Sequence, residues 1–513
     1  MSATWGASEP LPTNQRLLAT VALALASFMN VLDLTIVNVS VPTISGDLGV
    51  APGQGTWAIT SYAVAEAIML PLTGWLAGRL GQVRLFCIST LMFTLTSFLC
   101  GIAPSFEALL AARVLQGVFG AAMIPMSQTL LLSCYPPEKQ GFATGIWAMT
   151  TIAAPIIGPL AGGWLTDNLS WHWIFFINLP IGIVCFGLVY TLFEGRETPT
   201  RRGRIDAIGL LLLVLGIGSL QILLDKGNEL DWFNHPIIVG LAITSFVSMG
   251  VFVLWEWFHP EPLVDLHLFT QRNFLVASIC LFIGTIAFFG TNVVMPLWLQ
   301  TQVGYTPTWA GKTMALGGIL AVILGPLIGA NMSKIDARGV ATFGFAVFAF
   351  YAYLCSRFTP DIDYHTLANV RLIMGVGISC FFLPLITIGL SGIEPQRLAG
   401  ASGLNSFIRN LGSSFGTALI TSLWDHRAQL HHANLAENIN YAAPAAQSFL
   451  ERLSALGLND ANRLAYVNRL IDTQAYLLST NDVLLTCGAV MICLTIPIWF
   501  ARGPFLKGAP AEH

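Results

Sequence analysis

Long apolar stretches separated by short polar breaks run through almost the whole chain. About 20 consecutive apolar residues cross a bilayer core of about 30 Å as a helix. Fourteen such stretches lie near 17–41, 57–77, 85–103, 107–133, 143–165, 174–193, 206–224, 236–258, 274–299, 309–331, 339–357, 366–390, 399–423 and 483–501. They predict an all-α integral membrane protein with 14 transmembrane helices. The stretches 206–224 and 236–258 are the hardest to separate, because Asp225, Lys226, Glu229 and Asp231 lie close between them. The pattern lapses over 424–482, which carries His426, His431, His432 and several Asn and Gln. That segment reads as a polar outer loop with helix-forming stretches such as 461–478.

Composition agrees with a lipid environment. Of 513 residues 55% are hydrophobic and 10% charged, against about 25% charged in a soluble domain. The nine cysteines fall almost wholly in apolar stretches without paired spacing, so they read as small core residues, not disulfides or metal ligands. His431 and His432 have no suitably spaced partner for a metal. No basic block points to nucleic acid, and no GxxxxGK[ST] phosphate loop points to ATP. No metal cluster or nucleophile–base pair points to an enzyme, so no catalytic residue is assigned. Residues 1–16 are polar and run into the first stretch without a cleavage site, so that helix is expected to stay in place.

Orientation follows from the Lys/Arg bias, since short cytoplasmic loops are enriched in both. Placing the N-terminus in the cytoplasm puts Arg16, Arg79, Arg84, Lys139, Arg196, Arg201, Arg202, Arg204, Arg272, Lys334, Arg338, Arg397, Arg502 and Lys507 on that side. The short outer loops and their flanks keep only Lys226, Lys312 and Arg357. Both termini are therefore expected in the cytoplasm, with an even number of spans. Arg113, Arg371 and Arg409 fall inside predicted helices.

An internal repeat is legible. The turn after the second stretch, 74–84, carries Gly74, Arg79, Gly81 and Arg84. The turn after the tenth, 329–338, carries Gly329, Lys334, Asp336 and Arg338, 255 residues later. Arg113 and Gly117 in the fourth stretch return as Arg371 and Gly375 in the twelfth, 258 residues later. Two pseudo-symmetric six-helix bundles with two inserted helices give this spacing, and such repeats mark secondary transporters. The expected divisions are 1–195 for the N-terminal bundle, 196–272 for a linker with the inserted helices, and 273–513 for the C-terminal bundle with the outer loop 424–482.

Polar residues inside apolar stretches are costly and normally functional. Asp33 sits mid-stretch, with Asn30 one turn before and Asn38 about one turn after. Arg113 cannot lose its proton in place, so it needs an anionic partner, a wet cavity or backbone acceptors. Glu66 is either a second proton site, a determinant for cationic substrates, or a protonated helix–helix hydrogen bond. Thr150, Ala154, Gly158 and Gly162 recur every four residues and form one smooth face, while Pro155 and Pro159 bend that helix.

In order along the chain, these motifs resemble the major facilitator superfamily, and more closely its fourteen-span drug:proton antiporters of the EmrB type. The resemblance rests on Asp33, Thr35, Asn38 and Pro42; on the 74–84 turn; on Arg113, Gln116, Gly117 and Gly120; on Gly158, Pro159, Gly162 and Gly163; and on Trp171, Asn178 and Pro180. It implies proton-coupled export of hydrophobic drugs or weak acids by alternating access, with the proton as coupling ion and no cofactor. Asp33 and Arg113 would serve proton coupling; Glu66, outside the motifs that carry the resemblance, is added as a proton-coupling candidate from its place in the middle of the second stretch. Asn30, Asn38, Gln116 and Asn292 would line the substrate cavity, with Gln128 and Thr387 as weaker candidates. Gly158, Pro159, Gly162 and Gly163 form the antiporter motif, and Gly74, Arg79, Gly81 and Arg84 the cytoplasmic gating loop. It also implies a bacterial inner-membrane location, lipid contacts, and work with a periplasmic adaptor and an outer-membrane channel, for which 424–482 is a docking surface. One departure is visible: relatives usually carry an acidic residue where Gly78 stands.

Overall fold

The computed structural model describes residues 11–50, 52–136, 139–200, 206–332, 334–437, 444–456, 459–503 and 505. Arg201, Arg202, Arg204 and Lys507 lie outside them, so the basic count is not tested there. Helices dominate, and no strand occurs among the described residues. Polar side chains at the breaks start several of them. Ser105, Asp206, Thr306, Asp336, Asp363 and Asn459 each accept a backbone N–H of the helix that follows, satisfying donors that would otherwise face lipid or the interior.

The first half contains α1 (Thr13–Asp47), α2 (Trp57–Met69), α3 (Thr73–Leu80), α4 (Gln82–Gly101), α5 (Phe106–Gly120), α6 (Met123–Cys134), α7 (Gln140–Asn168) and α8 (Asn178–Leu192). The stretch predicted as one span over 57–77 is broken, because α2 and α3 meet at 63°. A shallower bend of 45° divides α7 at the prolines. Next come the two inserted helices, α9 (Ala207–Lys226) and α10 (Pro236–Phe258). The acidic turn between them separates two full helices. Asp206 joins them at the other end, capping α9 while accepting Trp255 Nε1 of α10 at 2.6 Å. The second half holds α11 (Arg272–Thr301), α12 (Pro307–Asn331), α13 (Ala337–Cys355), α14 (Tyr364–Leu390), α15 (Leu398–Glu437), α16 (Pro444–Ala455) and α17 (Asp460–Leu494).

Among the described residues eleven helices are long and apolar enough to cross a membrane, or thirteen if each bent pair is one span. The stretch 399–423 is the expected span missing from that number. It forms the first part of α15, but Asn405, Arg409, Asn410, Ser413 and Ser414 make it too polar to register as a span. The reason is its position: α15 packs against both halves, and its polar residues meet polar partners. Ser402 Oγ donates to Gln128 Oε1 at 2.6 Å, and Gln221 Nε2 donates to Ser414 Oγ at 2.8 Å.

The 424–482 segment differs from the loop expected of it. α15 runs on to Glu437 and α17 starts at Asp460, so most of the segment is a helical hairpin continuing two spans. His431 Nε2 lies 2.8 Å and Arg427 Nε 3.5 Å from Asp482 Oδ2, and His432 Nε2 lies 3.4 Å from Asp472 Oδ1. Trp424 Nε1 donates to Thr480 Oγ1 at 2.8 Å. The two histidines thus pair with carboxylates of the facing helix.

The repeat is visible in the packing. A Cβ on Gly117 would strike the Tyr62 carbonyl, and one on Gly375 the Gly317 carbonyl. Tyr62 and Gly317 are themselves 255 residues apart. The halves meet through two further glycine contacts that mirror each other. Gly74 faces Gly400, with 2.5 Å from an added Cβ to Gly400 Cα, and Gly329 faces the backbone of Gly141. Both contacts lie at the end of the bundle that carries the basic turns. Arg272, Arg338 and Asn273 bind the backbone of Phe500, Ala501 and Arg502 there, and Arg397 pairs with Asp265 at 2.6 Å.

Candidate functional site

The site grows out of one buried carboxylate. Asp33 of α1 and Arg113 of α5 have no exposed surface, and Arg113 Nη1 lies 2.5 Å from Asp33 Oδ2. Such a pair is tolerated only when every lone pair and proton finds a partner, and here most do. Asp33 Oδ1 accepts Gln116 Nε2 at 3.0 Å and Asn178 Nδ2 at 2.9 Å. Ser97 Oγ of α4 accepts the same two amides at 2.8 and 2.9 Å. Arg113 Nε donates to Ala58 O at 2.8 Å, and Arg113 Nη1 also reaches Gln116 Oε1 at 2.7 Å. Within this cluster of Asp33, Ser97, Arg113, Gln116 and Asn178, only Arg113 Nη2 and Asn178 Oδ1 lack partners among the described residues. Five helices of the first half therefore converge on one carboxylate.

Gln116 belongs to this network, not to an open cavity. Asn30 is also fully buried and donates to Tyr62 Oη at 3.0 Å and Gly120 O at 3.1 Å. Asn38 is exposed, further along α1, and Asn292 donates to Phe288 O at 2.8 Å within its own helix. The four residues assigned to a substrate cavity thus do not come together. Gln128 and Thr387 do, lining a cavity of about 290 Å³ between the halves at the basic end, with Gln140 and Thr144.

A second polar cluster spans the halves. The Arg113 guanidinium lies 4.4 Å from the centre of the Tyr62 ring. Tyr62 Oη donates to Glu66 Oε1 at 3.4 Å, and Asn410 Nδ2 of α15 donates to Glu66 Oε2 at 3.2 Å. Arg409 is near enough for its charge to act on Glu66. A continuous chain of contacts thus links the buried ion pair to the other half. Asn178, Ser97, Tyr62 and Asn410 are functional candidates that the sequence reading gave no role. Asn178 lies in a motif that carries the family resemblance, and the cluster of polar residues from Asn405 to Ser414 is the sequence signal that could have pointed to Asn410.

Arg371 has a different environment from its repeat counterpart. It is fully buried, its Nη1 reaches Met374 Sδ at 2.7 Å and its Nη2 reaches Met314 Sδ. The Tyr351 ring lies 5.6 Å away. No carboxylate is among these contacts, so among the described residues Arg371 does not repeat the buried charge pair of the first half.

The glycines of the 158–163 segment pack on α1 beside the site. A Cβ on Gly158 would meet Thr35, and one on Gly162 would lie 2.7 Å from Ile36 O. Gly163 is looser, with Val39 Cγ1 at 3.9 Å, and the side chain of Pro159 lies outside the described residues. The other end of the same helix, at Gly141 and Gly145, meets α12 of the second half. One helix therefore touches both the helix that carries Asp33 and the opposite half.

The 74–84 turn is held by an anion from elsewhere in the chain. Glu197, after α8, accepts Val83 N at 3.1 Å and Arg84 N at 2.8 Å, and Thr198 Oγ1 accepts Gln82 N at 3.0 Å. A carboxylate on a helix N-terminus satisfies free N–H groups and the dipole together. Gly81 sits at φ +89°, and a Cβ there would strike the Glu197 carboxylate. Arg84 adds a mostly exposed ion pair at 3.9 Å, worth little, and Arg79 stacks on Trp75. Replacing Glu197 with Ala should cost about 1 kcal/mol, and Gly81→Ala more, because it strains the backbone and expels the cap. Detergent melting of the two variants checks the order, and a larger loss for Glu197→Ala would contradict it.

Residues 23–417 match the family described as Major Facilitator Superfamily. The chain is 44% identical over 501 residues to the multidrug export protein EmrB of Escherichia coli K12, covering 98% of each. It is 44% identical over 490 residues to the fatty acid resistance protein FarB of Neisseria gonorrhoeae, covering 95% of this chain and 96% of that one. The solved structure of the human organic anion transporter MFSD10 (TETRAN) shares the fold at a TM-score of 0.60 and 11% identity, over 96% of this chain and 100% of that one. Paired half-bundles, a family match over residues 23–417 and relatives matched nearly end to end lead to one conclusion: the chain belongs to the major facilitator superfamily, in the branch that holds the EmrB proteins.

Proposed function

We propose that the protein exports hydrophobic drugs or weak acids across the bacterial inner membrane by alternating access, driven by inward proton flow. The observation that carries this reading is the fully buried Asp33–Arg113 pair. A charged pair held out of water by five helices is expensive to keep, and proton transfer is the chemistry it suits. A proton on Asp33 removes the charge that Arg113 balances. The guanidinium, whose Nη2 lacks a partner among the described residues, then turns to another acceptor and disturbs the Tyr62 ring beside it. Through Glu66 and Asn410 that disturbance reaches the second half. Two arrangements of one ion pair supply the two-state element that coupling requires. Glu66 is the second group on this path able to carry a proton.

The bias of basic residues supports a cytoplasmic position for the end with the basic turns and for both termini. The cavity lined by Gln128, Thr144 and Thr387 then receives substrate from the cytoplasm or inner leaflet. The hairpin of α15 and α17 projects outward and offers a periplasmic adaptor a rigid surface, which suits the inner-membrane member of a tripartite system with an outer-membrane channel. The names of the EmrB relatives support export of drugs, and that of FarB supports amphipathic acids among them.

Drug accumulation in energised cells of an efflux-deficient strain tests the reading. Accumulation should fall when the protein is expressed, and the fall should vanish when the proton gradient is collapsed. Higher accumulation with the protein present, or export indifferent to the gradient, would overturn it.

A further inference from the structure

A second cavity, of about 320 Å³, lies away from the Asp33 site, where the end of the inserted helix α9 meets α11 and α15. Its walls are unusual in which hydrogen-bonding groups remain free. On α15, Ser413 and Ser414 donate their hydroxyl protons to Asn410 O at 2.7 and 3.3 Å, and Thr421 donates to Thr417 O at 2.6 Å. Those hydroxyls in turn accept the amides facing them, Gln221 on Ser414 and Asn228 on Thr421, each at 2.8 Å. Donors are largely spent, and lone pairs remain. Gln221, more than nine-tenths buried, keeps a carbonyl oxygen with no partner among the described residues.

The charge points the same way. Asp225 lines the cavity, is exposed to it, and accepts Thr60 Oγ1 with one carboxylate oxygen. Its neighbour Lys226 is turned away, donating to Glu229 at 2.7 Å and Thr56 at 2.9 Å and lying 5.4 Å from the Trp57 ring. Lys226 and Glu229 balance, which leaves Asp225 as the net charge beside the cavity. Phe289 supplies an apolar wall.

The geometry points to a binding site for a small organic cation rich in hydrogen-bond donors, a primary ammonium or guanidinium on an apolar tail. The cationic head sits between Asp225 and Gln221, and the tail lies against Phe289. An anion meets a carboxylate and bare lone pairs here, and a neutral alcohol lacks the charge that Asp225 selects. Because α9 is an inserted helix, the site draws on a part of the chain that the Asp33 network does not use, and it meets the far end of that network only at Asn410 of α15.

Binding of 4-phenylbutylamine to the purified full-length protein in nanodiscs tests this, with 4-phenylbutanol and 4-phenylbutyrate as matched controls. The amine should bind at least about tenfold more tightly than either control, the span of one lost charge-assisted contact of about 1.5 kcal/mol. Asp225→Asn should remove that preference. Thr417→Leu, which fills the cavity and leaves the charge in place, should weaken the amine as well and guards against misfolding of the first variant. Equal binding of amine and alcohol, or full amine affinity in both variants, would overturn the site. A Glu66→Gln variant separates it from the central cluster: loss of the amine there, with retention in Asp225→Asn, would place the cation at Glu66 and refute the proposal.

Discussion

Replacing Asp33 with Asn is expected to reduce proton-driven export to background while leaving a folded, less stable protein. The side chain stays isosteric and keeps an oxygen for Gln116 and Asn178, which now lie 3.0 and 2.9 Å from Asp33 Oδ1. It loses the charge, so Arg113 is left buried without a counter-ion. Removing one partner of a buried pair costs about 3–5 kcal/mol, and the retained hydrogen bonds place this variant near the lower figure. A double variant, Asp33→Asn with Arg113→Leu, removes both charges and should recover much of the lost stability without recovering transport. That divergence separates a proton-coupling pair from a structural brace. Drug-induced proton release by the purified protein is the direct measurement, and normal release from Asp33→Asn would remove Asp33 from the mechanism.

Replacing Gly329 with Leu should hold the basic end of the bundle open and cut transport severely. The glycine faces the backbone of Gly141 across the two halves, and one turn away a Cβ on Gly145 would lie 2.6 Å from Gly325 O. Backbone cannot move aside as a flexible side chain can. Overpacking costs about 1–3 kcal/mol, and here the cost falls only on the state in which the halves touch at this end. A bias of that size shifts a two-state balance roughly 5- to 150-fold. The test is the labelling rate of a Thr144→Cys probe by a membrane-impermeant maleimide. Thr144 is 6% exposed, and the exposed Cys493 is first replaced by Ser. Gly329→Leu should raise the rate, and an unchanged rate with unchanged transport would dismiss the glycine contact as a seal.

The all-helical fold, most of the spans and the central charges were legible because each follows from a local rule. Apolar length marks a span, and a charge inside a span marks function. Asp33 and Arg113 were therefore visible one residue at a time, although nothing local says they touch. Ser97 and Asn178 were not visible, since a single Ser or Asn in a long helix is ordinarily a packing contact. The cavity assignments of Asn30 and Gln116 went astray for the same reason: a polar residue one turn from a carboxylate can serve the carboxylate or a cavity, and tertiary packing decides. α15 is the limiting case: the sequence marks 399–423 as a span and a helix forms there, but burial between the halves has let it grow more polar than the other spans. The missing acid at Gly78 is instructive too. The α4 N-terminus has its anion, but Glu197 supplies it from more than a hundred residues away, beyond any local pattern.

The length of α15 has a mechanical consequence. It is one continuous helix of 40 residues, holding Glu66 through Asn410 near one end and pairing with Asp472 and Asp482 near the other. At 1.5 Å per residue, Asn410 and Glu437 are about 40 Å apart along a stiff rod. A tilt of roughly 10° at the contact with Glu66 would sweep the far tip through about 7 Å on that length. The helix is thus a lever whose short arm is gripped where the halves meet and whose long arm leaves the bundle. Each turn of the transport cycle would be delivered to whatever rests on the hairpin as a stroke, so a partner docked there would be pushed as well as held.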